Sequence, residues 1–129
     1  MESSYDVTQN QLHIINGLIK RLIESQGLGT ELNTNESIVV SSENKSKILS
    51  MLKVREKLQG RLPKQQSKQD KNLELLIGNF YCCDNQYAKA ISSYDKLLKV
   101  DPNNISSLVN KGIATSKLGN HKDAIALYD

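Results

Sequence analysis

The side chains best suited to catalysis or metal binding are few in this sequence and form no recognisable set. The two cysteines, Cys82 and Cys83, are adjacent, and neighbouring residues on a helix diverge by about 100°, so they have neither disulfide geometry nor metal-ligand spacing. The two histidines, His13 and His121, belong to no catalytic constellation, and no glycine-rich phosphate loop is present. We therefore expect no enzyme activity, no cofactor and no metal site. Two unpaired thiols are typical of a reducing compartment, which favours the cytoplasm.

The charge of the chain is concentrated in its middle. The net charge is +3 overall, but it is −4 over residues 1–43, +7 over residues 44–71 and zero over residues 72–129. A basic segment of this kind can bind nucleic acid or another anionic surface. No aromatic residue lies between Lys45 and Lys71 to stack on a base, so a solvated helix face is the simpler interpretation.

An amphipathic helix is predicted near the N-terminus. Apolar residues recur at three- and four-residue steps over about residues 8–26, and Thr8 is the expected N-cap. No stretch of about 20 apolar residues is present, so membrane insertion is not expected. The segment that follows, up to residue 43, is polar apart from one apolar triplet, and we expect a mobile connector there.

A second, basic helix is predicted over about residues 44–62. Ser41 or Ser42 is the expected N-cap, and Pro63 ends the helix because proline lacks the backbone donor that a helix interior requires. The residues from there to residue 70 read as a polar linker. Residues 44–70 therefore form one basic unit of the predicted organisation.

The C-terminal half repeats itself at an offset of 34 residues. Laying residues 71–95 over residues 105–129 superposes small and aromatic positions: Gly78 on Gly112, Ala90 on Ala124, and Tyr94 on Tyr128. Glycine within a helix costs about 1 kcal/mol relative to alanine, so its presence indicates that a neighbouring helix comes close. The pattern predicts antiparallel helices over 71–84, 87–100, 105–118 and 121–129, with a turn at Gly119 and Asn120.

This combined spacing resembles the tetratricopeptide repeat family, whose unit has 34 residues. The resemblance covers residues 71–129, with a first unit at 71–104 and an incomplete second unit at 105–129. It departs from the family at Glu74, where a large apolar residue is preferred. The residues that match packing positions of the family are Gly78, Tyr81, Ala90, Tyr94, Pro102, Gly112, Ala124 and Tyr128. In the predicted hairpins Gly78 faces Ala90, and Gly112 faces Ala124.

The resemblance implies an all-α fold, with antiparallel helical hairpins of tetratricopeptide type that form an α-solenoid fragment behind the two amphipathic helices. It also implies a concave groove, lined by the first helix of each unit, that binds an extended peptide. Asparagine amides in such a groove can bond a peptide backbone, and aliphatic side chains can form shallow pockets. The groove residues implied by position are Asn72, Leu75, Asn79, Cys83, Ser106, Val109, Asn110, Ile113 and Lys117.

The sequence thus favours a protein-interaction module or scaffold whose partner is an extended segment of another protein. One alternative is a basic adaptor that binds nucleic acid or an anionic surface through residues 44–71. Another is a regulatory segment of a larger enzyme that continues beyond residue 129. The second unit is cut within its second helix, so we also expect a fragment of a longer array, with possible self-association through its open C-terminal end.

Overall fold

The computed structural model describes residues 4–31, 39–62 and 71–128, with side chains from residue 6 to residue 119. Within these ranges the chain forms α-helices and no strands, which confirms the all-α fold class. The helices are α1 (Ser4–Ser25), α2 (Ser42–Gly60), α3 (Lys71–Cys83), α4 (Tyr87–Val100) and α5 (Ile105–Tyr128). Adjacent helices pack as hairpins, α1 with α2, α3 with α4 and α4 with α5, while α1 also packs on α3, which is consistent with an α-solenoid fragment.

Helix α1 begins four residues earlier than its sequence predicts. Thr8 lies inside the helix and is 7% exposed, so it cannot be the N-cap. The buried face is narrower than the apolar pattern predicts: Leu12, Ile19 and Ile23 are buried, whereas Ile14 and Leu18 are 62% and 47% exposed. After Ser25 the chain leaves the helix through Gly27, whose φ of 88° is the left-handed conformation that glycine adopts without strain.

Helix α2 starts at the predicted cap. The Ser41 hydroxyl accepts a hydrogen bond from the backbone N–H of Asn44 at 3.3 Å. The helix ends at Gly60, short of the predicted residue 62. Its inner face contributes Ile48 and Leu52 to a core shared with α1 and α3.

Helices α3 and α4 form an antiparallel hairpin, and α4 has the predicted bounds of residues 87–100. The turn between them places Asn85 at φ 60°, and the N–H of Gln86 donates to the carbonyl of Tyr81 at 2.8 Å. Where the two helices meet, Gly78 lies directly under the Tyr94 ring. Ala90, one turn before Tyr94, is fully buried in the same cluster.

The predicted turn at Gly119 and Asn120 is wrong. Helix α5 is continuous from Ile105 to Tyr128 and contains both residues. Gly112 is therefore not in a hairpin with Ala124, because the two lie on the same helix. Gly112 is exposed, and no atom lies within 4 Å of the position where its Cβ would be. The side chains of Ala124 and Tyr128 lie outside the described residues.

Helix α3 is shared by two hydrophobic clusters. One face packs against α1 and α2 around Phe80, and the other packs against α4 and α5 around Tyr94. Leu28, which follows α1, is 3% exposed and belongs to the first cluster, and Val40 packs against the same cluster. Both ends of the predicted mobile connector are thus packed on the helices, whereas residues 32–38 lie outside the described residues.

Candidate peptide-binding face

Two buried asparagines lie side by side where α3 and α5 meet. Asn79 is 0% exposed and Asn110 is 2% exposed. The Nδ2 atom of Asn110 donates to the Oδ1 atom of Asn79 at 3.1 Å. Helical spacing from the sequence placed these residues on corresponding stripes, and the packing of α3 against α5 brings the stripes into contact.

Tyr94 fixes the orientation of the Asn79 amide. Its hydroxyl donates to Asn79 Oδ1 at 2.5 Å, and the Cys82 sulfur lies 3.7 Å from the same hydroxyl. Burial raises the pKa of Tyr94 well above its usual value, so the phenol stays protonated and remains a donor. Asn79 Oδ1 accepts hydrogen bonds from both Tyr94 and Asn110. The buried NH₂ group of Asn79 is a separate donor and needs an acceptor of its own.

The two amides donate to the protein's own backbone. Asn79 Nδ2 donates to the carbonyl of Gly29 at 2.6 Å, and Asn110 Nδ2 donates to the carbonyl of Thr30 at 2.9 Å. These are successive residues of a non-helical stretch. We call residues 28–31 the resident segment, because it already occupies the two asparagines of the predicted groove. Leu28 anchors the segment in the core.

Cys83 is the last residue of α3, at one end of the predicted groove. Burial raises the pKa of the Cys83 thiol, and the positive charge of Lys117 partly offsets that effect. A shallow cleft beside Cys83 is also lined by Val40 and Phe80, so the chain after residue 38 returns to this end of α3. The described connector therefore meets the predicted groove at two places.

The other predicted groove residues are less uniform. Leu75 is 3% exposed and packs in the α3–α4–α5 cluster, so it is a core residue and cannot line an open groove. Ile113 is half-buried against the same cluster. Val109 is 50% exposed. Asn72 is exposed and Ser106 half-buried, on the first turns of α3 and α5 respectively.

A buried ion pair was missed by sequence reasoning. Glu74, which departs from the family pattern, is 2% exposed and accepts from Arg55 Nη2 at 2.5 Å. Arg55 Nε donates to Asn16 Oδ1 at 2.9 Å, so the group links α1, α2 and α3. A carboxylate at an apolar position of the repeat was the available signal, since a buried charge requires a partner.

Several cations of the basic helix are already paired. Lys45 contacts Asp84 of the α3–α4 turn, and Lys47 lies 3.2 Å from Glu43. Arg55 is buried and held by Glu74. The solvated basic face predicted for residues 44–71 is therefore wrong for Arg55 and incomplete for the two lysines. These pairs reduce the positive potential available to a nucleic acid.

Neither a metal-binding cluster nor a membrane-spanning helix is found in the described part of the chain. No group of three histidine, cysteine or carboxylate side chains that could hold a metal ion occurs there. None of the described helices is long and apolar enough to span a bilayer.

Comparison with known proteins gives a limited resemblance. The chain is 40% identical over 48 residues to the human small glutamine-rich tetratricopeptide repeat-containing protein beta. The match spans 37% of this chain and 16% of the length of the relative. No protein-family model matches the chain, and no solved structure does either. This partial match hints at tetratricopeptide repeats and, together with the helical fold, fits a protein-interaction module as the class of function.

Proposed function

We propose that this chain is a protein-binding module of tetratricopeptide type, and that the face formed by α3 and α5 binds an extended segment of another protein. The observation that carries the proposal is the pair of hydrogen bonds from Asn79 and Asn110 to the carbonyls of Gly29 and Thr30. They are bonds to backbone, so the recognition does not depend on the ligand's side chains at those positions.

We expect a ligand to bind the two asparagines in the same way as the resident segment does. An incoming peptide that accepts the same two hydrogen bonds must replace residues 28–31, because each amide is already engaged. The segment is held in the same chain, so its effective concentration is of the order of millimolar. A competing peptide therefore binds the free protein weakly unless the segment is loosened.

Loosening the resident segment gives a direct test. Replacing the Leu28 side chain in the variant Leu28→Asp puts a carboxylate into an apolar core and should expel residues 28–31. A peptide copying residues 25–34 is then added to this full-length variant and to the wild type. The expected result is saturable binding to the variant, at least about tenfold tighter than to wild type, with shifts of the Asn79 and Asn110 side-chain amide signals in NMR spectra.

The matched controls separate recognition from unfolding. The same peptide carrying aspartate at the position of Leu28 should not bind. Adding Asn110→Ala to the Leu28→Asp chain should weaken binding of the unchanged peptide several-fold, since one hydrogen bond contributes about 1 kcal/mol. Circular dichroism must show that the helices persist in each variant. If the expelled variant keeps its helices and no peptide shifts either amide, the proposal fails.

The basic-adaptor alternative is tested on the same proteins. Lys53→Gln with Lys57→Gln removes two exposed charges of α2 and should leave peptide binding unchanged. Loss of peptide binding in this variant, together with a steep decrease of affinity with salt, would favour the anionic-ligand alternative instead.

A further inference from the structure

A second surface, with no lining residue in common with the face of Asn79 and Asn110, lies between α1 and α2. Helix α1 exposes an apolar stripe at Val7, Ile14 and Leu18, which are 40%, 62% and 47% exposed. Residues separated by seven and four positions lie on one side of a helix, so the three side chains are in line. This stripe is in addition to the buried face of α1, which makes the helix apolar on two sides.

The adjacent side of α2 completes a groove. Val54 is 46% exposed, and it lines a cleft together with Ile14 and Ile15 of α1. Leu58 lies at the floor of the cleft and is 7% exposed. About two turns further along α1, Leu22 lines a second cleft together with Met51 of α2. We call the two clefts together the outer groove.

The rim of the outer groove is basic. Lys57 and Arg61 line its first cleft and Lys47 its second, and no described residue that lines either cleft is acidic. Glu43 pairs with Lys47 at 3.2 Å and neutralises part of that charge. Neither Lys57 nor Arg61 belongs to an ion pair among the described residues. The surface therefore combines an apolar floor with a positively charged edge.

The lining of the outer groove favours a helical partner over an extended one. The backbone groups of α1 and α2 are already hydrogen-bonded within the helices, so they cannot pair with the backbone of an extended peptide. Gln11 is the one side-chain amide in the described lining. An extended peptide would lose water from its backbone without gaining partners there. A third helix brings its own hydrogen bonds and packs its apolar stripe between the two helices. The residues of α1 that line the outer groove run from Gln11 to Leu22, a length of about 16 Å or about three helical turns.

The positive charge of the rim favours an acidic partner. A second copy of this chain would bring an identical basic rim against the first, since a two-fold contact pairs the same surface on both subunits. Like charges at such a contact oppose association. Glutamate or aspartate beside an apolar stripe complements both the edge and the floor.

We propose that the outer groove docks an acidic amphipathic helix of a partner protein, at a site separate from the resident-segment face. The probe is a synthetic 18-residue helical peptide with leucine at three- and four-residue steps and glutamate flanking the stripe. A matched peptide carries lysine in place of each glutamate. Binding of each peptide to the full chain is measured by fluorescence anisotropy.

The expected result is that the glutamate peptide binds and the lysine peptide does not. Ile14→Gln with Val54→Gln should weaken binding by about tenfold, because these exposed side chains are the apolar anchors of the first cleft. Lys57→Gln with Arg61→Gln should weaken it by about fivefold and reduce its salt dependence. Because all four side chains are on the surface, the variants should fold.

The matched controls change the same residue types elsewhere. Val100 is 54% exposed and Lys99 is exposed, both at the end of α4, so Val100→Gln and Lys99→Gln should leave binding unchanged. Equal binding of the two peptides, no binding of the glutamate peptide, or full affinity in the Ile14→Gln and Val54→Gln variant overturns the proposal. A dimer in sedimentation that the latter variant abolishes would also overturn it, since the occupant would then be a second copy.

Discussion

The contact between Gly78 and Tyr94 predicts that the substitution Gly78→Ala destabilises the protein. A Cβ at Gly78 would lie 2.4, 2.8 and 2.9 Å from three carbon atoms of the Tyr94 ring. All three distances are below 3.0 Å, and the ring is 0% exposed with its hydroxyl bonded to Asn79 at 2.5 Å. The ring therefore has no free direction in which to move.

The magnitude follows from two opposing terms. Alanine favours the helix by about 1 kcal/mol over glycine. Overpacking a tight core costs about 1–3 kcal/mol, and displacing the Tyr94 hydroxyl from Asn79 removes a buried hydrogen bond for about 1 kcal/mol more. The net expectation is that Gly78→Ala lowers the free energy of unfolding by about 1–3 kcal/mol.

The same substitution at other helix glycines should have the opposite sign. Gly60 and Gly112 have no atom within 4 Å of a built Cβ, so alanine there should raise stability by about 0.5–1 kcal/mol through the helix term alone. Urea unfolding followed by circular dichroism measures all three variants. In a Tyr94→Leu background the penalty of Gly78→Ala should shrink, since the clashing ring is gone.

Two outcomes would refute this reasoning. Stabilisation by Gly78→Ala equal to that by Gly112→Ala would mean that the ring does not press on α3. An unchanged penalty for Gly78→Ala in the Tyr94→Leu background would mean that the cost arises from another neighbour.

Three further predictions concern the ion pair, the last helix and the thiols. Glu74→Leu, which restores the family's apolar residue, should destabilise the protein by about 3 kcal/mol, because it leaves the buried Arg55 charge without its partner. Adding Arg55→Met should recover most of that loss, as measured by urea unfolding. Gly119→Ala should stabilise by about 0.5–1 kcal/mol if α5 is continuous, and a loss of stability would indicate a glycine-dependent turn. Burial raises the pKa of Cys82 and Cys83 above 9.0, so at alkaline pH the folded state retains thiol protons that the unfolded state releases. The free energy of unfolding should therefore be constant up to about pH 8 and fall as the pH rises through 9 and beyond. A flat profile of urea midpoints from pH 7 to about 10 would contradict that assignment.

The sequence by itself determined the local elements and the place of one close approach, but not its partner: the atoms that a Cβ at Gly78 would meet first belong to Tyr94 and not to the predicted Ala90. The bounds of α4 follow from helical periodicity between two turn signals, and capping chemistry limited the cap of α2 to Ser41 or Ser42, of which Ser41 is the cap. Gly78 marked a place where a neighbouring helix comes close. These features depend on residues a few positions apart, or on a repeat that places the same types at the same spacing, so the pattern is visible in one dimension.

Only the tertiary structure decided what occupies the asparagines. Asn79 and Asn110 bond residues that precede them by 50 and 80 positions, and nothing in the composition of that polar segment marks it as a ligand. The pairing of Arg55 with Glu74 was hidden for the same reason, because a charge pattern does not tell which charges the fold will bury. Long-range contacts of this kind depend on how the helices pack, and many segments have the local chemistry to make them.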